Sequence, residues 1–352
     1  MRRALLVLVV AVLLAVAASL LYTLGVFGAG PGTSKGICVT DLANRTVCLK
    51  HYAKRIVSLW PEATRIVIAL RAGEKLVGVS VYDKRDPVMT LIYPKLRKLP
   101  AVGTTDAPNV EEIKRLRSDV VFADARRGAA ALDELQQLLG VPVVGVRLIV
   151  GPYGRFTYKG FAIVGKLLGV RGAELEKYLE EKLEFIRSRT RDIPPDERLR
   201  VYVAFARTPF TTYALADPLE SAGLVNVALS PGRVWYPTNL EQIARWDPDI
   251  IVVHVLASRL GNYTVETILS DPTWRILRAV REGRVYSIVL GYAGWYPAMT
   301  VINTLQLAKT AYPNLFKDVD VVAFGNEVYR KLYGVNDFFS KLVKELGMHV
   351  PR

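Results

Sequence analysis

Short runs of β-branched residues alternate along most of this chain with stretches whose apolar residues recur every three or four positions. That rhythm predicts strands covered by helices. Arg55-Ile56-Val57-Ser58-Leu59 reads as a strand, and Pro61 suits the first turn of a helix running to Leu70. Leu76–Ser80, Asp119–Phe122 and Val141–Val146 read as further strands, with helices over Val110–Leu116 and Ala129–Leu139. From Phe156 to about Arg191 no strand pattern occurs, and Leu167, Leu168, Leu175, Leu179, Leu183 and Ile186 mark a long helical segment closed by Ile193-Pro194-Pro195. The rhythm then resumes with strands at Arg200–Phe205, Ile250–Val253 and Val285–Val289. Helices are expected over Pro218–Ala222, Leu240–Arg245, Trp274–Val280, from Pro297 onward, and over Asn326–Gly334 and Asp337–Leu346. The pattern predicts four parts: residues 1–30 as signal or membrane anchor with tether, 31–152 as an N-terminal α/β lobe, 153–192 as a linking helical segment, and 193–352 as a C-terminal α/β lobe.

The front of the chain carries an address. Met1-Arg2-Arg3 precedes an apolar run from Ala4 to Leu21 that continues through Leu24, about the 20 residues a bilayer-spanning helix needs. The arginines belong on the cytoplasmic side, so the remainder faces outward. Gly28-Ala29-Gly30-Pro31-Gly32-Thr33-Ser34 reads as a flexible tether. The length of the run favours a retained anchor over a cleaved signal, and no Cys follows it to carry a lipid.

Two cysteines agree with an outside location. In the stretch from Cys38 to Cys48 strand formers flank a turn. Asp41 opens it and Asn44 tolerates the left-handed conformation of a three-residue loop, a register that puts Cys38 opposite Cys48. A cross-strand disulfide is expected, with two buried thiols as the alternative. Asn44-Arg45-Thr46 and Asn262-Tyr263-Thr264 are glycosylation sequons.

Composition narrows the class. Of 352 residues, 51% are hydrophobic and 23% charged, which excludes a disordered or collagen-like chain. With one long apolar run, a polytopic membrane protein is excluded too. Three His and two Cys are too few for a zinc cluster or iron–sulfur site, so neither a cofactor nor a bound structural metal is expected. The net charge of +14 raises the question of nucleic acid, but the cations are interspersed with acids and no RNP box, zinc finger or arginine-rich arm occurs. A basic face near anionic lipid is the better reading.

Gly160-Phe161-Ala162-Ile163-Val164-Gly165-Lys166-Leu167 nearly matches a phosphate-binding loop. It lacks the Ser or Thr that holds magnesium and follows no strand, so it reads as helix. His51, His254 and His349 form no evident nucleophile–base set, and Gly-x-Ser-x-Gly is absent. His254, at a strand end, either lines a cleft or is a hydrogen-bonded structural residue. What recurs instead is aromatic residues at strand-to-helix junctions: Trp60, Tyr82, Phe210, Tyr213, Trp235, Tyr236, Tyr292 and Trp295. In open α/β sheets such carboxyl-end loops line the ligand crevice. Arg126, Arg127 and Arg207 occupy the same kind of loop and suit an anionic ligand.

Arg55–Pro61, Leu76-Val77-Gly78-Val79, Pro108-Asn109-Val110-Glu111-Glu112-Ile113 and Ser118-Asp119-Val120-Val121 resemble the iron-siderophore/vitamin B12 periplasmic binding protein family. Asn239–Ile243, Asp247–Val252, Asp271–Trp274 and Ala279–Tyr286 continue the likeness, which runs from about Cys38 to Tyr333. The resemblance implies two Rossmann-like lobes joined by a long rigid helix, a ligand cleft between them, and no enzymatic activity. It implies a monomeric extracytoplasmic protein that delivers solute to an ABC permease and its ATPase subunits. Family members dock through one glutamate per lobe; the matching positions are Glu111 and Glu241. Two positions depart from the family pattern: Thr64-Arg65 replaces Thr-Glu, which predicts a more basic first helix, and Ser118 replaces a usual Pro.

The expected ligand is an iron(III) chelate, a ferric siderophore, whose apolar body meets aromatic walls and whose residual charge meets arginines. Cobalamin, haem and molybdate or tungstate are alternatives on the same scaffold. An anchored α/β surface enzyme and a glycosylated adhesion protein are the rivals from other classes.

Overall fold

The computed structural model describes residues 36–255, 263–289, 291–348 and 350–351. The expected anchor, the Asn262 sequon and His349 lie outside the described residues, among which no helix is long and apolar enough to cross a membrane.

The chain opens with an antiparallel hairpin of β1 (Ile37–Thr40) and β2 (Thr46–Leu49). Asp41 accepts hydrogen bonds from the N–H groups of Ala43 and Arg45, each at 2.9 Å, and Asn44 turns the chain at φ 61°. Cys38 pairs with Cys48 in register, and their sulfurs are joined. The hairpin tip docks on the first lobe where Asp41 accepts from the Gly145 N–H at 2.9 Å.

The first lobe is a four-stranded parallel sheet, β3 (Ile56–Ser58), β4 (Leu76–Val79), β5 (Val120–Asp124) and β6 (Val143–Val146), in the order β4-β3-β5-β6. Every residue of β3, β5 and β6 is buried, as a sheet covered on both faces requires. Its helices are α1 (Pro61–Ala69), α2 (Val110–Arg115) and α3 (Gly128–Leu139). A small hairpin of β7 (Ile149–Val150) and β8 (Arg155–Phe156) follows, so Phe156 belongs to a strand and not to the expected helical segment.

The linking segment is two helices, α4 (Lys159–Leu168) and α5 (Gly172–Thr190), instead of one. Gly169, at φ 70°, ends the first. The phosphate-loop look-alike lies inside α4, where its glycines serve packing. A Cβ on Gly165 would stand 2.6 Å from the Gly172 Cα, so the two helices touch backbone to backbone.

The second lobe is a six-stranded mixed sheet. Its strands are β9 (Arg200–Phe205), β10 (Thr208–Tyr213), β11 (Val225–Asn226), β12 (Trp235–Pro237), β13 (Ile250–Val255) and β14 (Val285–Val289). The order is β12-β10-β9-β13-β14, with β11 also on β9. β9, β13 and β14 run parallel, while β10 and β12 add an antiparallel flap. The flap is a correction: residues 208–213 and 235–237 were expected as loops. Helix α6 (Leu240–Trp246) and α7 (Val265–Ser270) flank the sheet. Residues 218–222 form one 3₁₀ turn, Glu220–Ala222, after a cis peptide at Asp217-Pro218, and Trp274 sits in a second such turn, Pro272–Ile276. Helices α8 (Pro297–Ala311), α9 (Val321–Tyr333) and α10 (Phe338–Leu346) complete the chain. One continuous apolar core joins α1, α4 and α5 to α8, α9 and α10, and so passes through both lobes.

Candidate functional site

Parallel strands deliver their following residues to one edge of a sheet, and here both sheets present that edge to a shared cleft. Trp60 follows β3, Arg126 follows β5 and Arg147 follows β6. From the second lobe come Phe205 at the end of β9, His254 near the end of β13, and Gly291 to Trp295 after β14. Tyr213 and Trp235 reach the cleft from the flap. Together they enclose about 240 Å³.

Five of the eleven expected ligand residues line this space: Trp60, Arg126, Tyr213, Trp235 and Trp295. The others are elsewhere, each for a visible reason. Tyr213 and Phe210 are three residues apart on one strand and therefore face opposite ways. Phe210 stacks on Trp274 behind the sheet, centroids 5.4 Å apart. Tyr236 likewise alternates with Trp235 and donates its hydroxyl to the Ala228 carbonyl at 3.0 Å. Arg127 pairs with Asp106 at 2.9 Å, and Arg207 lies exposed in the β9–β10 turn. Tyr82 and Tyr292 meet edge to face at 6.4 Å without lining the cleft.

The aromatic wall is continuous. Trp235 lies 4.9 Å from Tyr213 and 5.2 Å from Phe205, and Tyr213 lies 5.8 Å from Trp295, all between ring centroids. The His254 imidazole packs against both Phe205 and Trp235, its centroid 5.4 Å from each. It is only 4% exposed, and neither ring nitrogen has a partner within the protein. Burial pushes its pKa down to about 3, so the ring is neutral, with one N–H and one lone pair unused.

Charge is arranged around this wall. Arg147 Nε stands 3.8 Å from Asp124 Oδ1, an ion pair too long for a hydrogen bond, so its buried N–H is left without one, as is the buried Trp60 indole N–H. Arg126 pairs with Asp124 at 3.3 Å and remains half exposed.

Glu62, on α1, is buried in the cleft wall. Its carboxylate accepts from the Trp295 N–H at 2.8 Å and the Leu148 N–H at 2.7 Å. Desolvation raises its pKa, opposed first by the positive charge of Arg147.

Arg65 overturns the expectation of a basic first helix. It is fully buried. Nη2 pairs with Asp86 at 2.8 Å, Nη1 donates to the Trp295 carbonyl at 2.7 Å, and Nη2 also reaches the Tyr292 carbonyl. The guanidinium lies over the Tyr296 ring at 4.3 Å. Two charged side chains of α1 thus hold a cleft-lining loop of the opposite lobe.

A larger hollow of about 610 Å³ lies beside the end of α5. Its arginines are already committed, Arg155 to Glu220, Arg191 to Glu184 and Arg187 to Ser221, so it reads as a solvated ion-pair network.

Glu111 and Glu241 occupy equivalent places on the two lobes. Asn109 caps α2 by accepting from the Glu112 N–H at 3.1 Å, and Asn239 caps α6 by accepting from the Gln242 N–H at 2.8 Å. Each glutamate is the second residue after its cap and is exposed. Glu241 pairs with Arg245 at 2.6 Å.

The fold and cleft define a two-lobed solute-binding protein. The chain belongs to the periplasmic binding protein family, whose model matches residues 56–289. It is 24% identical over 323 residues to the molybdate-binding protein MolA of Haemophilus influenzae, covering 84% of this chain and 90% of that one. It is 25% identical to the Fe(3+)-citrate-binding protein YfmC of Bacillus subtilis, covering 74% and 80% respectively. The solved structure of MolA bound to molybdate superposes with a TM-score of 0.71 at 24% identity over 85% of this chain and 98% of that chain. The vitamin B12 binding protein BtuF of Vibrio cholerae gives 0.55 at 20% identity, covering 74% and 96%. The protein is therefore the extracytoplasmic solute-binding component of an ABC importer, working with a permease and ATPase, and it is not an enzyme.

Proposed function

We propose that this protein captures a compact, oxygen-bearing metal anion, either a ferric carboxylate complex or a metal oxyanion, and presents it to its permease. The observation that carries this reading is the pair of buried donors without a hydrogen bond, the Arg147 Nε–H and the Trp60 indole N–H, in residues that line one cavity. Buried donors without partners cost free energy unless a ligand acceptor completes them. Arg126 at the mouth and the neutral N–H of His254 add to the same preference. The volume of about 240 Å³ lies below the roughly 300–1,000 Å³ of pockets that enclose drug-sized ligands. That supports a compact anion over a corrinoid or haem, and over a large ferric siderophore unless its body projects from the cleft. The likeness to MolA and to the Fe(3+)-citrate-binding protein supports the same class.

Delivery would use Glu111 and Glu241, whose matching placement on the two lobes suits contact with cations of a permease. The Arg126/Arg147 pair, Trp60 and His254 would be the ligand contacts, and Trp235, Tyr213 and Trp295 the walls.

Calorimetric titration with molybdate, tungstate, ferric citrate, a ferric hydroxamate siderophore, cobalamin and haem tests this. Micromolar or tighter binding confined to the first three supports the reading, and which of them binds separates oxyanion from carboxylate chelate. Binding of cobalamin or haem alone would overturn it.

A further inference from the structure

The excess positive charge of this chain has a place in the fold that the cleft does not use. In the first lobe β3 begins at Ile56 and β5 at Val120. The segments entering those strands therefore lie at the opposite end of the sheet from Trp60, Arg126 and Arg147. Hydrogen bonds and packing knit four basic segments into one face there. The Ala53 N–H donates to the Leu167 carbonyl at 2.9 Å, and Lys75 Nζ donates to the Leu168 carbonyl at 3.0 Å. Arg55 donates to the carbonyls of Leu116 and Arg117, and the Tyr52 ring packs on Gly169.

Six cations on this face, Lys50, Lys54, Lys75, Lys114, Arg117 and Lys166, make no ion pair among the described residues. Elsewhere Arg127, Arg189, Arg245 and Arg278 each have a carboxylate partner. The nearby acids are largely occupied: Glu112 pairs with Arg115, Glu174 with Arg171, and Asp119 accepts from the N–H groups of Lys54 and Arg55. Glu74, and Glu111 one turn before Lys114 on α2, stand exposed against them. Tyr52, 55% exposed, sits among the lysines, the amphipathic ring that lipid headgroup regions favour.

We propose that this face docks on anionic lipid headgroups. Charge complementarity supplies the attraction, at about fivefold in partitioning for each lysine brought to an anionic surface. The described chain begins at this face, with Gly36 lying against the Leu49 carbonyl. The sequence before it holds the apolar run from Ala4 to Leu24. If that run is anchored, the dozen residues from Leu24 to Gly36 span at most about 40 Å, at roughly 3.5 Å each, so the face never leaves the neighbourhood of the bilayer. Lipid docking turns the cleft and the N-termini of α2 and α6 away from the membrane. Docking on lipid and docking on a permease are thus alternative orientations, and the lipid-bound one is a parked state that keeps the cleft open to incoming solute. This proposal does not depend on which ligand the cleft takes.

The test is a lysine footprint. The full chain is reconstituted in vesicles of pure phosphatidylcholine or with 30% phosphatidylglycerol, recovered by flotation, and labelled with an amine-reactive ester before mass spectrometry. On the anionic vesicles labelling of Lys50, Lys54, Lys75, Lys114 and Lys166 should fall at least fivefold, while Lys159, at the cleft end of α4, and Lys317, on the second lobe, label as in phosphatidylcholine. Half-molar salt should restore it. The triple variant Lys50→Glu, Lys54→Glu, Lys166→Glu should lose the protection with unchanged melting temperature. Equal labelling on the two vesicle types, or protection shared by Lys159 and Lys317, would overturn the proposal.

Discussion

Replacing Arg65 by Met tests whether the cleft loop is held from the opposite lobe. The methionine keeps much of the volume and removes the ion pair with Asp86, the donor to the Trp295 carbonyl and the donor to the Tyr292 carbonyl. Breaking a fully buried pair from one side costs about 3–5 kcal/mol, because the remaining charge is stranded. Each carbonyl left buried without a donor adds about 1–3 kcal/mol, though these losses overlap. Asp86 retains Tyr296 Oη at 2.7 Å and the N–H groups of Val88 and Met89, and protonation can relieve part of its charge. The expected loss is about 4 kcal/mol, or about 8 °C in melting temperature at roughly 2 °C per kcal/mol for a chain of this size. Thermal unfolding by circular dichroism reads it. Adding Asp86→Asn removes the stranded charge and keeps an acceptor for Tyr296, so the double variant should regain at least half of the loss. A single variant within 1 kcal/mol of the parent, or a double variant no better than the single, would refute the argument.

Other outcomes follow from the same structure. Arg147→Met should weaken anion binding at least tenfold by titration calorimetry with little change in melting temperature; unchanged affinity would remove Arg147 from the ligand shell. Glu111→Ala with Glu241→Ala should abolish uptake in whole cells while purified protein binds solute as before, and a loss of affinity would count against a docking role. Reduction of Cys38–Cys48 should add two mass units. The double Ser variant should lose at most about 2.7 kcal/mol, the chain-entropy value for a closed loop with a sequence separation of 10. Asp83, buried beside Ser80 and Thr64, has its pKa raised to about 7 by desolvation. A carboxyl raised in the folded state takes up protons that the unfolded chain releases, so its stabilisation is full below about pH 4 and is lost as pH rises through 7. Asp83→Asn should remove that decline, at most about 1.4 kcal/mol per pH unit; parallel stability–pH curves for the two proteins would refute it.

Much of the scaffold was legible because parallel strands buried on both faces leave dense β-branched runs, as in Val120–Asp124 and Val143–Val146. The junction rule found Trp60 and Arg126 for the same reason, and applied to the residue after Val143–Val146 it would have found Arg147. The flap escaped because Pro209 breaks the strand pattern of Thr208–Tyr213, and that hid the alternation separating Phe210 from Tyr213. Glu62 and Arg65 were unreadable for a deeper reason. A charged residue on a helix is expected at the surface, and what buries these two is a loop some 230 positions away. No periodicity carries that information.

The hold of α1 on the Gly291–Trp295 loop also sets how this protein can be rebuilt. A lobe-swapped chimera that keeps residues 1–192 and imports a second lobe would present Glu62 and Arg65 to a foreign backbone, with nothing fixing the position of its carbonyls and N–H groups. Such a hybrid would inherit the donor's recognition residues without their placement. The workable unit of exchange is the loop together with α1 and Asp86, two stretches far apart in sequence that must be transplanted as one piece.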